Sequence, residues 1–205
     1  MKRIILLTAI TVLAVTAKAQ ITTTLGIKAG VNLSGMTSKQ YSESFRKPGF
    51  LAGILSEISI SEKFSIQSEL LYATYGAEAY ITSYGGGPYD TYYSLDYLLL
   101  PIAMKFYLNQ RLSIEFGPSF NLLVRDKAYR PGLPDLYDTE GNFLRSQSDI
   151  DPGARRFEFS GVVGVTYNLC NSWAASLRYT QGLSSVLSYR DERNNAFQLG
   201  LEYIF

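Results

Sequence analysis

From Thr23 to its end, the chain alternates apolar and polar residues in short runs separated by turn-forming residues. The final run shows this most plainly. Phe197, Leu199, Leu201, Tyr203 and Phe205 share one parity, while Ala196, Gln198, Gly200, Glu202 and Ile204 share the other. Successive side chains of a strand point to opposite faces, so a period of two gives one apolar and one polar face. The pattern predicts strands near Thr23–Leu33, Phe50–Ile60, Phe64–Tyr75, Tyr93–Leu108, Leu112–Val124, Phe157–Asn168, Trp173–Thr180 and Asn195–Phe205.

The connections fall into two classes. Ser61–Lys63, Asn109–Arg111 and Leu169–Ser172 are tight, whereas Ser34–Gly49, Gly76–Tyr92, Lys127–Arg156 and Gln181–Asn194 are long. Short and long alternate strictly. A tilted strand needs about 9–11 residues to cross a bilayer, close to the lengths of these runs. An even strand count with short turns on one side and long loops on the other predicts an all-β fold. It is an eight-stranded antiparallel up-and-down transmembrane β-barrel of outer-membrane type, with both termini periplasmic.

Alternation alone leaves open which face is inside. The polar face carries Lys28, Glu57, Glu69, Lys105, Glu115, Glu158, Arg178 and Glu202, interleaved with Gly26, Gly30, Gly53, Ala103, Gly117, Gly164 and Gly200. An eight-stranded barrel has room inside for side chains only, which suits small residues set among charges. A water-facing surface has no use for so many glycines, which weaken strands. Phe64, Tyr107, Trp173, Tyr203 and Phe205 stand near run ends, where interfacial girdles belong. The apolar face is therefore assigned to lipid and the charges to the lumen.

Residues 1–19 read as a signal peptide: Lys2-Arg3, an apolar Ile4–Val15, and Ala17-Lys18-Ala19 as a cleavage site before Gln20. Residues 20–205 form one barrel domain, and loss of the leader takes the formal net charge from +1 to −2. That leaves no basic surplus for nucleic acid. The single Cys170 allows no internal disulfide.

Seven segments carry a family resemblance: Gly26-Ile-Lys-Ala-Gly-Val-Asn-Leu-Ser34, Gly49-Phe-Leu-Ala-Gly53, Phe64-Ser-Ile-Gln-Ser-Glu-Leu-Leu-Tyr72, Tyr97-Leu-Leu-Leu-Pro-Ile-Ala-Met-Lys105, Gly117-Pro118, Arg178-Tyr-Thr-Gln-Gly-Leu183 and Gln198–Phe205. Together they resemble the PorT-like eight-stranded outer-membrane barrels abundant in Bacteroidota. Leu99 stands where many of those relatives carry an acidic residue, which removes one inward charge. The resemblance implies a shared fold rather than one activity. Some relatives are linked to protein secretion across the outer membrane.

The chain has no His, which excludes Ser-His-Asp and Cys-His catalysis, His-ligated zinc and the His-dependent acyl-chain enzymes of small outer-membrane barrels. No phosphate-binding glycine loop appears. The inward carboxylates could be imagined as an acid/base pair, yet with Lys28, Lys105 and Arg178 they read better as opposite-sign neighbours that stiffen a narrow lumen. No catalytic residue, cofactor or metal site is expected. The acids Asp135, Asp138 and Glu140 lack the spacing of a calcium loop. The expected protein is non-enzymatic, surrounded by outer-membrane lipid, and structural or accessory to secretion or assembly alongside other envelope proteins. Its recognition surface would be the external loops, with Tyr84, Tyr89, Tyr92, Asp135, Tyr137 and Asp138 as candidates. The alternative is a small ligand or glycan held by the loops or upper lumen.

Overall fold

A computed structural model describes residues 22–38, 44–83, 86–129, 135–137, 143–146, 149–150, 153–188 and 192–205. The leader and its cleavage site lie outside these residues. The strands are β1 Thr22–Ser38, β2 Ser44–Ser59, β3 Phe64–Ser83, β4 Gly86–Tyr107, β5 Leu112–Tyr129, β6 Asp135–Tyr137, β7 Phe143–Ser146, β8 Asp149–Ile150, β9 Phe157–Asn168, β10 Trp173–Gly182 and β11 Glu192–Ile204. Eight of them close a barrel in the order β4-β3-β2-β1-β11-β10-β9-β5, with β4 pairing back onto β5. β6 and β7 pair with each other, and β8 pairs with the end of β5.

The registers fix the barrel's shape. A path across the sheet from Leu25 runs through Ser56, Ser68, Ile102, Pro118, Gly161, Gln181 and Asn195 and returns to β1 at Gly35, ten residues on. For eight strands, that stagger tilts them by about 40° to the barrel axis. On β1 the outward apolar positions from Leu25 to Leu33 then span roughly 20 Å along that axis, most of the height of a lipid-facing band.

Burial is inverted relative to a water-soluble protein. Leu25, Val31, Ile54, Val163 and Leu199 are each more than half exposed, while Glu69, Glu115, Arg178 and Glu202 are at most 2 % exposed. Apolar side chains thus point outward and charges inward. No helix among the described residues is long and apolar enough to cross a membrane.

The tight turns are made by local side chains. Asn109 Oδ1 accepts hydrogen bonds from the backbone N–H of Arg111 and Leu112, both 2.8 Å, so its side chain mimics a backbone turn. Ser61 does the same for Phe64 N–H at 3.2 Å.

The expected loop bounds need correction at the opposite end, where β2 already starts at Ser44 and β11 at Glu192. Gly76–Tyr92, read as a loop, is hairpin: β3 and β4 stay paired from Gly76↔Ser94 to Ser83↔Gly86. Above the lipid band both faces of a ribbon are wet, so apolar alternation fades while backbone pairing continues. Likewise, β5 runs past Val124 to Tyr129, and β1 past Leu33 to Ser38.

Candidate functional site

Each barrel strand sends a charged side chain into the middle of the lumen. They are Lys28 (β1), Glu57 (β2), Glu69 (β3), Lys105 (β4), Glu115 (β5), Glu158 (β9), Arg178 (β10) and Glu202 (β11), all buried. Arg178 is the centre. Its Nη1 and Nη2 donate to the two oxygens of Glu69, both at 2.8 Å, and its Nε donates to Glu115 Oε1 at 2.8 Å. Three of the five guanidinium donors are thereby used on two carboxylates, in the fork geometry that only Arg supplies. Lys28 Nζ lies 3.2 Å from Glu69 and 2.8 Å from Glu202. Lys105 Nζ continues the chain, 3.8 Å from Glu202 and 3.1 Å from Glu57. Glu57 also accepts from Ser65 Oγ at 2.5 Å and from the Tyr107 hydroxyl.

Seven of the eight charges therefore form one network crossing the lumen. Buried charges persist when paired, and each of the seven has an opposite charge within 3.8 Å, although Glu115 Oε2 and both Glu202 oxygens make no hydrogen bond among the described residues. Two glycines make room for it. A Cβ on Gly164 would sit 2.8 Å from Glu115 Oε1, and one on Gly200 would sit 2.7 Å from Lys28 Cε. Glu158 stands apart, nearer the loop end. It accepts from Asn194 Nδ2 at 2.8 Å and Ser160 Oγ at 3.1 Å, and Asn194 also donates to the Tyr97 hydroxyl at 3.1 Å.

Toward the loop end the lumen is apolar, which the pattern of small and charged inward residues did not suggest. Leu51, Leu71, Leu95, Leu99, Tyr75 and Tyr97 pack there in one buried cluster with Val186 and Leu187. The segment 183–188 is held inward by backbone bonds: Val186 N–H to Glu192 O at 2.7 Å, Arg155 N–H to Val186 O at 2.7 Å, and Ser188 N–H to Gly153 O at 3.1 Å. An external loop in the sequence reading is thus partly a stopper. Leu99, the apolar stand-in for an acid, belongs to this cluster.

Tyr107 also requires correction. Instead of joining the aromatic girdle, it donates its hydroxyl to inward Glu57 and lines the lumen mouth at the short-turn end. A pocket of about 370 Å³ opens there, lined by Glu57, Tyr107, Arg111, Asn168 and Cys170 among others. Trp173, Tyr203 and Phe205 do stack on one another, with centroid distances of 5.0 and 5.6 Å, as an aromatic rim outside the same end.

The loop candidates are distributed differently. Tyr84 and Asp138 lie outside the described residues. Tyr89 sits in β4 and Asp135 and Tyr137 in β6, where the backbone alone is described. Tyr92 is an exposed residue of β4 rather than of a loop. Among the described residues, no group of three or more His, Cys, Asp or Glu side chains is placed to hold a metal ion.

A closed, tilted eight-stranded cylinder with an apolar exterior and an ion-paired interior defines an integral outer-membrane β-barrel protein. The family model "Outer membrane protein beta-barrel domain" matches residues 17–188, and the chain belongs to that family of the Gram-negative outer membrane. Among solved structures it is similar to Neisserial surface protein A, with 15% identity over 88% of this chain and 97% of that one and a TM-score of 0.53. It is also similar to Ail of Yersinia pestis (14%, 89% and 98%, TM-score 0.49) and to OprG of Pseudomonas aeruginosa (10%, 89% and 94%, TM-score 0.40). No curated protein sequence matches the chain.

Proposed function

We propose that this barrel is a non-enzymatic, non-conducting outer-membrane protein of the PorT-like kind. It acts through its loop end as a structural element or as an accessory to secretion or assembly. The observation that supports it most is the filled lumen. Seven charges cross-linked by ion pairs lie below an apolar stopper, so neither a solute path nor an open acid/base site remains. The outer wall is committed to lipid, and the opposite end offers tight turns around a shallow mouth that ends on Glu57 of the network. What is left for recognition is the β3–β4 hairpin that rises beyond the lipid band and the residues between β5 and β9. Long loops external and short turns periplasmic, with both termini periplasmic and the leader cleaved after Ala19, complete the proposal.

The experiment is a loop excision. Ala128 is buried and the Leu123 N–H donates to Arg156 O at 2.8 Å, so the cut must spare both ends of the 127–156 stretch. Replacing residues 131–152 with a short Gly-Ser turn should leave a folded barrel that still migrates faster unheated than boiled on gels. It should lose any envelope protein that co-purifies stoichiometrically with the wild type. Retained partners in that variant, together with their loss from a folded Glu57→Gln/Glu115→Gln barrel, would move the working site into the lumen.

A further inference from the structure

At the loop end of β1 and β2 the chemistry of the lipid-facing wall changes. On β1 the outward series Val31, Leu33 is followed by Gly35 and Thr37, and the outward residue beside Gly35 on β2 is Arg46. Gly35 offers no side chain, and a Cβ there would stand 3.3 Å from Arg46 Cγ. Through that notch Arg46 lies flat across β1. Its guanidinium carbon is 4.8 Å from the ring centroid of Phe197 on β11, and Nη1 donates to Leu33 O at 3.2 Å. Arg46 is nonetheless exposed. The cation is fixed in orientation while its remaining donors face outward.

Two neighbours extend the feature. Asn195 on β11 is 6 % exposed and donates from Nδ2 to Thr37 Oγ1 at 2.8 Å, with its buried Oδ1 3.8 Å from the Gly35 Cβ position, so it closes the floor of the notch. Immediately toward the middle of the wall, Val31, Leu33, Pro48, Leu177, Phe197 and Leu199 line a groove of about 300 Å³.

We propose that this patch binds one molecule of an anionic glycolipid of the outer leaflet, a phosphorylated and acylated sugar. The phosphate sits on Arg46, and one acyl chain lies in the groove. Charge complementarity selects the head, since a guanidinium recognises phosphate through several directed hydrogen bonds. The groove excludes a free anion as the occupant, because it presents apolar side chains beside the cation. The assignment to the outer leaflet rests on the loop end facing outward, as proposed above.

The test is native mass spectrometry of the intact barrel in a neutral detergent, titrated with lipid A, dephosphorylated lipid A or phosphatidylglycerol. The wild type should hold one lipid A at least about tenfold more tightly than either comparison lipid. Arg46→Gln should lose at least about tenfold in lipid A affinity. Gly35→Leu should lose as much by displacing Arg46, while Arg111→Gln at the opposite end should change nothing. Heat-modifiability shows that each variant is folded. Equal affinity for the dephosphorylated lipid, or wild-type affinity in a folded Arg46→Gln barrel, would overturn the proposal. The 131–152 excision should leave this affinity unchanged, so failure here and failure of the proposed function read out separately.

Discussion

Replacing Arg178 with Met should destabilise the barrel by about 3–5 kcal/mol, the cost typical of removing one partner from a buried ion pair. The side chain is 2 % exposed and holds two carboxylates at once, Glu69 through a two-bond fork and Glu115 through Nε. Its loss leaves Lys28 as the remaining close cation for Glu69, and leaves Glu115 without a partner at ion-pair distance among the described residues. The measurement is urea unfolding of the barrel in lipid vesicles at neutral pH, followed by loss of heat-modifiability. Pairing predicts a rescue as well: Arg178→Met combined with Glu69→Gln and Glu115→Gln should recover most of the loss, because the penalty comes from uncompensated charge. A single-variant cost below about 1 kcal/mol would mean that these carboxylates are solvated and that the lumen is not closed around them.

The second large effect concerns the outer wall. Val163→Arg and Leu100→Arg place a charge where the native side chains are 56 % and 42 % exposed to lipid. Near the bilayer midplane each should cost about 2–4 kcal/mol in vesicles, falling to about 0–1 kcal/mol for an equivalent change near an interface, such as Ile60→Arg. The dependence on depth separates lipid from water. A soluble barrel with an apolar exterior would show no such gradient. Unfolding of the three variants in the same vesicles gives the comparison, and wild-type stability of Val163→Arg would refute the outward assignment.

Much of this architecture can be read directly from residue order. β9 coincides with the predicted Phe157–Asn168, because inside the lipid band each residue faces either hydrocarbon or lumen and the two faces demand opposite chemistry. The inward charges stand out for the same reason: a lone Glu or Lys at alternate positions of an apolar strand has nowhere else to go. Which charges meet is a different matter. Glu69 and Arg178 are 109 residues apart and join only because of the barrel's stagger, which no local pattern encodes. The β3–β4 extension is not legible in residue order because Gly85-Gly-Gly-Pro88 and the tyrosines around it carry turn and surface signals, while hairpin pairing needs no alternation. Leu51, Leu71 and Leu95 were not foreseen as a core inside the upper lumen, since the expected interior held small and charged residues. Tyr107 could have been placed by parity with Lys105. Its aromatic character and position at a strand end suggested a girdle instead.

The measurement that tests the central claim most directly is electrical. The purified, refolded barrel, reconstituted into planar lipid bilayers, should insert without stepwise conductance, because the ion-paired network and the stopper at 183–188 fill the lumen. Reproducible single-channel steps from the wild-type protein, abolished when the barrel is unfolded by boiling, would contradict a closed lumen and with it the assignment of the working surface to the loop end.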